Sequence, residues 1–216
     1  MSVVARRVCS SLAEALEAPA SVRVLVIDYE SAEKTVPSGH DYEELVNLER
    51  LILRGLRLGG LPPALGRLRK LKHLELFDCE LARFPSFLGK LTSIESLTLQ
   101  RLTVRVPTAL VLPRLRRLHL AHMGLTKVPK VALGAPRLYN LDLSHNDIRT
   151  IPPELGNLMG LQFLNLMSNP LSALPTELAK LPKLRTLLLG GTSIAKSKAS
   201  RQAVTLLLPK VSVSWS

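Results

Sequence analysis

Histidine and carboxylate side chains recur in the central part of this 216-residue chain at a spacing that could bring them together. His73, His119, His122 and His145 are four of its five histidines, and Asp142 lies close to the last of them. Such groups can ligate a transition metal or form contacts that change with pH. His119 and Asp142 lie two or three residues from His122 and His145 along their segments, which makes one tetrahedral centre awkward. We therefore favour scattered polar contacts, and we predict neither a metal site nor a cofactor.

The segment from Asp142 to His145 also contains the residue types of a hydrolytic triad. Asp142, Ser144 and His145 supply a carboxylate, a hydroxyl and an imidazole, which a triad needs in a hydrogen-bonded relay. Neighbours on one extended strand point to opposite faces, so these side chains cannot form that relay. No glycine-rich loop with a Gly-Lys-Ser/Thr ending occurs in the chain. The sequence therefore predicts a protein without catalytic activity.

The cysteines and the N-terminal residues indicate in which cellular compartment the protein acts. Cys9 and Cys79 are the only cysteines and show no zinc-ligand spacing, which favours a reducing environment. Arg6 and Arg7 precede no uninterrupted apolar run, so we predict no signal peptide. No stretch is long and apolar enough to span a membrane. We expect an intracellular, cytoplasmic protein, with import into an organelle left open.

A period close to 23 residues organises the chain, because the pattern Leu-x-x-Leu-x-Leu begins eight times at intervals of 26, 23, 23, 21, 23, 23 and 23 residues. In the first half of the repeat, leucines alternate with other residues at every second position, which predicts a short strand with one buried face. The second half, Leu-Pro-x-x-Leu-x-x-Leu, predicts a helical turn that opens at proline. One repeat cannot bury its own leucines, so successive repeats must stack. The repeats begin at Val22, Leu48, Leu71, Ile94, Leu115, Leu138, Leu161 and Leu184.

Both ends of such a stack need covering, because an open end exposes the core. We predict a single domain over residues 1–216, with repeats over 22–195 and caps over 1–21 and 196–216. Ser10 or Ser11 begins a short helix in the first cap, with Leu12 and Leu16 facing inward. The second cap is an amphipathic helix followed, after Pro209, by a final strand.

Asparagine at repeat position 9 closes the turn after the strand by bonding to neighbouring backbone. Only Asn146 and Asn169 supply it. We therefore predict that aliphatic packing replaces a polar ladder in most of the array. The other repeats carry Glu30, Leu56, Cys79, Leu102, Met123 and Thr192 at this position.

The motif LxxLxLxxNxLxxLPxxLxxLxx, complete from Leu138 and from Leu161, resembles the 23-residue leucine-rich repeats of Ras-suppressor-like, Ras-scaffold and bacterial proteins. The ending LLPKVSVSW is similar to the closing segment of the bacterial members. The resemblance covers about residues 22–215. It implies an α/β fold: a curved, right-handed solenoid with a parallel sheet on its concave face and short helices or 3-10 turns on its convex face. It also implies that proteins bind on the concave sheet.

Strand residues at repeat positions 3, 5, 7 and 8 point away from the leucines and would lie on the concave face. Equal positions of adjacent strands lie about 4.8 Å apart and form ladders, which makes His119 a neighbour of Asp142 and His122 a neighbour of His145. Aromatic, methionine and arginine side chains among polar ones are typical of a protein interface. The predicted partner-binding residues are Arg50, His73, Glu75, Phe77, Arg101, Arg117, His119, His122, Asn140, Asp142, His145, Phe163, Asn165 and Met167.

The net charge of +12 is unevenly placed, with a balance of −2 over residues 1–60 and +14 over the remainder. Basic residues recur beside the predicted concave face and form two rims, which should speed association with an acidic protein. Arg83, Arg105, Lys127 and Arg149 follow the strand in four successive repeats, and the opposite rim holds Lys70, Lys72, Lys90, Arg114, Arg116, Arg137, Lys183 and Arg185.

These features predict a non-catalytic, monomeric interaction scaffold that binds an acidic protein, with a small GTPase as the example that the family suggests. The alternative is an adaptor subunit of a larger assembly that contains RNA, held through the basic rims, because phosphates would bind such rims. The predicted groove lacks the row of stacking aromatics that single-stranded nucleic acids favour, so protein is the favoured partner.

Overall fold

A computed structural model describes residues 7–28, 40–58, 60–102, 104–107 and 109–216. Arg6 and Glu30, which the sequence analysis named, lie outside the described residues. The chain divides into two compact units, Met1–Leu112 and Pro113–Ser216. Each unit is a stack of repeats in which parallel strands lie side by side, so the predicted leucine-rich-repeat fold class is confirmed.

Within its described residues, the first unit has a parallel sheet of five strands with the helix α1 (Leu12–Leu16) at its start. The 3-10 helices are Pro19–Ser21, His40–Glu44, Pro63–Arg67 and Ser86–Lys90. The sheet contains β1 (Arg7–Cys9), β2 (Val22–Ile27), β3 (Arg50–Arg54), β5 (His73–Phe77) and β7 (Ser96–Gln100), and a second small sheet pairs β4 (Arg57–Leu58) with β6 (Glu80–Leu81).

The second unit repeats this plan with shorter strands and ends in two helices and a final strand. Its sheet contains β8 (Arg117–His119), β9 (Asn140–Asp142), β10 (Phe163–Asn165), β11 (Thr186–Leu188) and β12 (Ser212–Ser214), all parallel. Its helices are α2 (Lys130–Leu133), α3 (Ser193–Lys196) and α4 (Lys198–Leu207), with 3-10 helices at Pro153–Asn157 and Thr176–Lys180.

The core is made from the same three positions of every repeat. In the repeat from Leu138, the side chains of Leu138, Leu141 and Leu143 have no exposed surface, and the equivalent residues of the next repeat, from Leu161, are buried to the same extent. Burying one leucine side chain contributes about 1.5–3 kcal/mol to folding, and each additional repeat brings several leucines into the shared interior. Stacking therefore stabilises the array.

The predicted helical turns open at proline. Pro152 and Pro175 stand immediately before the 3-10 helices Pro153–Asn157 and Thr176–Lys180, with φ angles of −73° and −71°. Proline fixes φ near these values, and its missing N–H leaves no donor unpaired at the start of a helix. This position of proline confirms the prediction for the second half of the repeat.

The N-terminal cap contains one element that the sequence did not predict. Ser11 caps α1 by accepting a hydrogen bond from the Glu14 N–H at 3.1 Å, as expected for one of the two candidate serines. Leu12 and Ala15 of this helix are buried, and Leu16 is half-buried. The strand β1, which pairs with β2, was missed because its three residues are too few to show a period.

The C-terminal cap has the predicted order of a helix and a strand. The Ser197 side chain caps α4 through the Ser200 N–H at 3.2 Å, and Val204 of this helix is buried. After Pro209 the chain forms β12, which pairs with β11 along its whole length. This strand continues the backbone ladder of the second unit by one more member.

Buried asparagines hold the turns of the second unit. The Asn146 side chain donates to the carbonyls of Leu120, Leu143 and Ser144 at 2.8–3.0 Å. Its oxygen accepts from the Met123 and Leu125 N–H groups at 2.9 and 3.0 Å. Asn169 forms the equivalent bonds one repeat later, donating to the carbonyls of Leu143, Leu166 and Met167 and accepting from Ile148. Each asparagine therefore ties its own turn to the preceding repeat.

Polar bonds at position 9 extend further than the asparagines. The Cys79 thiol donates to the carbonyls of Leu53 at 3.6 Å and Phe77 at 3.3 Å. Burial raises the pKa of this thiol, which keeps it a neutral donor. Thr192 donates to the Leu189 carbonyl at 2.6 Å and accepts from the Ala195 N–H at 3.1 Å. The prediction of aliphatic packing at position 9 was therefore wrong for Cys79 and Thr192, because a thiol and a hydroxyl can also donate to backbone carbonyls.

Residues at repeat position 8 adopt a left-handed backbone. Glycine, which takes this conformation without a steric penalty, occupies the position at Gly55 and Gly191 with φ angles of 64° and 73°. Five non-glycine residues share the conformation, with φ angles between 51° and 56°. They are Asp78, Arg101, His122, His145 and Ser168. Asp and His tolerate positive φ better than Arg and Ser do.

We expect Asn146→Ala to lower the free energy of unfolding by about 2–3 kcal/mol, because it leaves buried backbone groups without partners. Asn157→Ala is the matched control, since Asn157 is exposed and should change stability by no more than about 0.5 kcal/mol. Urea unfolding of both variants measures the difference. Equal losses would contradict the role assigned to Asn146.

We expect Ser168→Gly to raise the free energy of unfolding by up to about 1 kcal/mol, because glycine relieves the left-handed conformation. Ser144→Gly is the control: Ser144 is buried and is not among the residues with positive φ, so glycine there should destabilise the protein. Thermal unfolding compares the two variants. A loss of stability in both would show that the position-8 backbone is not strained.

Candidate functional site

The outward residues of the strands form an open face on each unit. We call the outward residues of β3, β5 and β7 the N-terminal open face, and those of β8 to β11 the C-terminal open face. Their burial alternates with that of the leucines: from His73 to Phe77, half-buried and buried side chains follow each other without interruption. Because backbone hydrogen bonds hold each strand to its neighbours, these side chains project from a rigid surface.

The arginines of β3 on the N-terminal open face have partners within the protein. Arg50 Nε lies 3.9 Å from Glu75 Oε1, across one strand pair. The Arg54 guanidinium lies over the Phe77 ring, with Cζ 5.4 Å from the ring centroid. His73 is half-buried in register with Arg50. Three of the predicted partner-binding residues therefore already take part in contacts with other side chains of this unit.

Arg101 forms the strongest of these pairs. Its Nε donates to Asp78 Oδ1, and its Nη2 donates to Asp78 Oδ2 at 2.9 Å. These hydrogen bonds raise the pKa of Arg101. Two N–H groups of the planar guanidinium thus bond to a carboxylate of the same chain, although both side chains are about half exposed. The charge of Arg101 on the N-terminal open face is consequently balanced by Asp78, whereas the sequence predicted that this arginine is free to bind a partner.

A ladder of four side chains crosses the C-terminal open face at repeat position 3. Arg117, Asn140, Phe163 and Thr186 lie on four adjacent strands in exact register. Arg117 is exposed and the other three are half-buried. The ladder therefore presents a cation, an amide and an aromatic ring in this order.

Tyr139, which immediately precedes β9, contacts the two arginines at the start of β8, Arg116 and Arg117. Arg117 Nε donates to the Tyr139 hydroxyl, and its Cζ lies 5.6 Å from the centroid of the ring. The Arg116 Cζ lies 5.9 Å from the same centroid. The N–H groups of Tyr139 and Asn140 both donate to the Arg116 carbonyl, at 3.0 and 3.2 Å. Backbone and side-chain bonds together fix the position of this arginine–tyrosine cluster.

Polar bonds also order the residues at repeat position 5. His119 Nε2 lies 3.1 Å from Asn140 Oδ1. Asp142, the register neighbour of His119, accepts from the Ser144 N–H at 2.9 Å and from Asn165 Nδ2 at 3.0 Å. Asn165 is only 9% exposed, and its oxygen accepts from the Met167 N–H at 3.1 Å. The expectation that Asn165 lies open to a partner was wrong, because its amide is committed within the sheet.

His122 and His145 stack on each other at the ends of their strands. Their ring centroids are 4.2 Å apart, and the rings are inclined by only 7°. Both side chains are exposed, and both residues have the left-handed backbone of position 8. The register therefore places these histidines together, as the sequence predicted.

The geometry provides neither a metal cluster nor a triad in the part of the chain that the structure describes. Within it, no three histidine, cysteine or acidic side chains come together in a way that could hold a metal ion. Ser144 is buried and its N–H bonds to Asp142, whereas His145 points outward and stacks on His122. Both residues follow β9, and the buried serine and the exposed histidine are therefore not brought together.

The residues of the first predicted basic rim are all exposed: Arg83 and Arg105 in the first unit, and Lys127 and Arg149 in the second. Lys127 borders a shallow groove that Lys130 and Glu154 also line.

None of the helices in the described part of the chain is both long and apolar enough to cross a lipid bilayer.

Sequence reasoning placed Arg54 and Asp78 on the open face, at repeat positions 7 and 8, but it missed Tyr139. Tyr139 stands at repeat position 2, immediately before the strand, so the alternation rule did not assign it to the open face. The repeat itself contained the signal: Tyr139 has the same repeat position as Arg116, one period earlier, and is therefore expected beside the basic pair Arg116 and Arg117 of the neighbouring repeat. Asp78 stands one period before Arg101, which suggests an ion pair between adjacent repeats.

Comparison with known proteins agrees with the fold. The family model for the leucine rich repeat matches residues 113–171 and 136–194. A leucine-rich-repeat protein of Leptospira interrogans superposes with a TM-score of 0.71 at 26% identity, over 95% of this chain and 57% of that one. An internalin from Listeria monocytogenes superposes with a TM-score of 0.69 at 16% identity, over 95% of this chain and 64% of that one. A search of the curated proteins found no match.

The plant peptide hormone receptor RGFR1, solved in complex with RGF2, superposes with a TM-score of 0.65 at 24% identity, over 87% of this chain and 31% of that one. The chain thus spans between 31% and 64% of the length of these three structures. Repeat period, parallel strands and buried leucines, together with the family match over residues 113–194, show that the chain has the leucine-rich-repeat fold.

Proposed function

We propose that this chain binds an acidic protein partner on the open faces of its sheets and has no catalytic activity of its own. The observation that carries the proposal is the alternation along each strand. Leucines fill the interior, while the residues between them stand half-buried on a surface that backbone hydrogen bonds hold rigid. A rigid, preformed surface loses little conformational entropy on binding, which favours affinity.

The charge of the second unit supports an acidic partner. Residues 113–216 contain fourteen lysines and arginines but four aspartates and glutamates, a balance of +10. Throughout this unit, which the structure describes completely, none of those four carboxylates lies within ion-pair distance of a lysine or arginine. The positive charge is therefore not neutralised by these carboxylates and should steer an acidic surface toward the C-terminal open face.

A small GTPase is the partner that the resemblance to Ras-suppressor-like proteins suggests. An intracellular, cytoplasmic site of action fits this partner, and it fits two free, buried cysteines, Cys9 and Cys79. The receptor that superposes on this chain was solved in complex with RGF2, which supports recognition of a polypeptide as the general mode.

The second candidate function is that of an adaptor in an assembly that contains RNA. The exposure of Arg83, Arg105, Lys127 and Arg149 favours it, since such side chains could neutralise phosphates. A chain that holds RNA in this way would lose its partners when the RNA is digested or when salt is raised.

We expect the double variant Arg117→Ala/Phe163→Ala to lose its protein partner in co-purification from the native source, with partners identified by mass spectrometry. The matched control is Arg201→Ala/Met159→Ala, which removes the same charge and a similar apolar area from exposed residues outside the open face. Both variants should keep the unfolding midpoint of the unmodified protein to within a few degrees. Unchanged capture by the first variant would contradict the proposed surface.

The same capture is repeated after nuclease treatment. Retention of the partner supports a direct protein contact, whereas loss of every partner would reject it in favour of the assembly that contains RNA.

A further inference from the structure

We propose that Arg117 and Tyr139 form a carboxylate-binding subsite, which works with Phe163 to recognise an acidic and an apolar side chain on one extended segment of the partner. This inference rests on the proposed function and specifies which part of the open face recognises the acidic group. The geometry of the guanidinium, its lack of a carboxylate partner and its spacing from Phe163 each support one part of it.

The Arg117 guanidinium is held in a fixed orientation. Arg117 Nε donates to the Tyr139 hydroxyl while the guanidinium lies over the ring, so the side chain is held at both its edge and its face. A guanidinium has five N–H donors, and only the one on Nε is committed. Among the residues that the structure describes, no acceptor is recorded for Nη1 or Nη2 of Arg117. The end-on edge of the fork, which matches two carboxylate oxygens, is therefore available and pre-oriented.

Further hydrogen-bond donors lie beside the Arg117 guanidinium. The Tyr139 hydroxyl accepts from Arg117 Nε and keeps its own proton to donate. Asn140 is the register neighbour of Arg117, and its oxygen faces His119 Nε2, which leaves its amide hydrogens available. A second guanidinium, that of Arg116, lies over the same ring. Donors and positive charge surround one point of the surface, which defines a site for an oxyanion.

Among the described residues, no carboxylate pairs with Arg117. Asp142 is the acidic residue on these strands, and both of its oxygens already accept bonds, from the Ser144 N–H and from Asn165. The contrast with Arg101 is direct, because that fork is filled by Asp78. Arg117 has the same chemistry as Arg101, but the carboxylate has to come from another molecule.

The apolar anchor, Phe163, lies two strands away from Arg117. Arg117 pairs with Asn140, and Asn140 pairs with Phe163, so two strand spacings separate the guanidinium from the ring. Two spacings amount to roughly 10 Å. An extended segment in the polyproline II conformation has three residues per turn and rises about 3.1 Å per residue, so it places side chains three positions apart on the same side at about this distance. The segment that fits therefore carries glutamate or aspartate and a large apolar residue three positions apart, and it crosses the strands. The backbone bonds from Tyr139 and Asn140 to the Arg116 carbonyl keep this spacing fixed.

The test uses the full chain, labelled with nitrogen-15, and short fluorescent peptides with blocked ends in a glycine–serine background. One peptide carries glutamate and leucine three positions apart. A second has glutamine in place of glutamate, a third has phosphoserine there, and a fourth has serine in place of leucine. Fluorescence anisotropy gives the affinities, and the Arg117 Nε–H resonance, assigned by its loss in Arg117→Lys, reports contact at the proposed fork.

We expect the glutamate–leucine peptide to shift the Arg117 Nε–H resonance to saturation. Glutamine should weaken binding about tenfold or more, since a charge-assisted bidentate pair is lost. Tyr139→Phe should weaken it several-fold by removing the hydroxyl and the fixed orientation of Nε, while the ring keeps its packing. Arg117→Lys should weaken it about tenfold although the charge is kept. Arg201→Lys, on the exposed surface of α4, should leave the affinity unchanged.

Equal affinity for the glutamate and glutamine peptides would overturn the proposal, and so would binding of the phosphoserine peptide alone, which would assign the site to phosphate. Equal affinity for the leucine and serine peptides would remove Phe163 from the site. These outcomes differ from failure of the proposed function. A partner captured without any peptide binding rejects only the subsite, whereas peptide binding through Arg117 without a captured protein rejects only the larger interface.

Discussion

Every feature of the two units depends on one constraint: a single repeat is too thin to bury its own leucines, so neighbouring repeats must cover them. Leu138, Leu141 and Leu143 become inaccessible only because the leucines of neighbouring repeats lie against them. Stacking brings the strands into hydrogen-bonding distance, and the parallel ladder then fixes their register. Since a strand has two faces, burying one set of alternate residues leaves the other set on a surface whose geometry is no longer adjustable. The surface that could meet a partner is therefore a consequence of how the core is filled.

The core and the ladders could be predicted from the sequence, because a period that repeats eight times outweighs any single irregular residue. Leucine spacing assigned the strands, and counting along each repeat placed His122 beside His145 and His119 beside Asp142. The hydrogen-bond partner of a side chain that has several possible partners within reach could not be predicted. Arg101 and Arg117 carry the same guanidinium, at repeat positions 8 and 3, yet one binds Asp78 and the other Tyr139. The left-handed backbone at Arg101 and Ser168 also gave no signal, since neither residue type favours it.

The two open faces differ in how their charges are balanced, although the repeat that builds them is the same. In the first unit Arg50, Arg54 and Arg101 lie close to a carboxylate or an aromatic ring of the same unit. In the second unit Asp142 is satisfied by an amide and a backbone N–H, which leaves Arg117 without a carboxylate. An exposed internal ion pair contributes only about 0–1 kcal/mol to stability, so pairing or not pairing an arginine hardly affects folding. Charge placement on an open face can therefore vary without loss of the fold, and recognition of a partner can depend on it.

The most direct test of this account compares the free energies of unfolding of Leu164→Ala and Phe163→Ala, two adjacent residues of β10. Leu164 has no exposed surface, whereas Phe163 is half-buried on the open face. A shared leucine interior predicts a loss of about 2–5 kcal/mol for Leu164→Ala and less than half of that loss for Phe163→Ala, despite the larger side chain removed. Equal losses, or a greater loss at Phe163, would show that the phenylalanine lies in the core, and would contradict the assignment of the two faces.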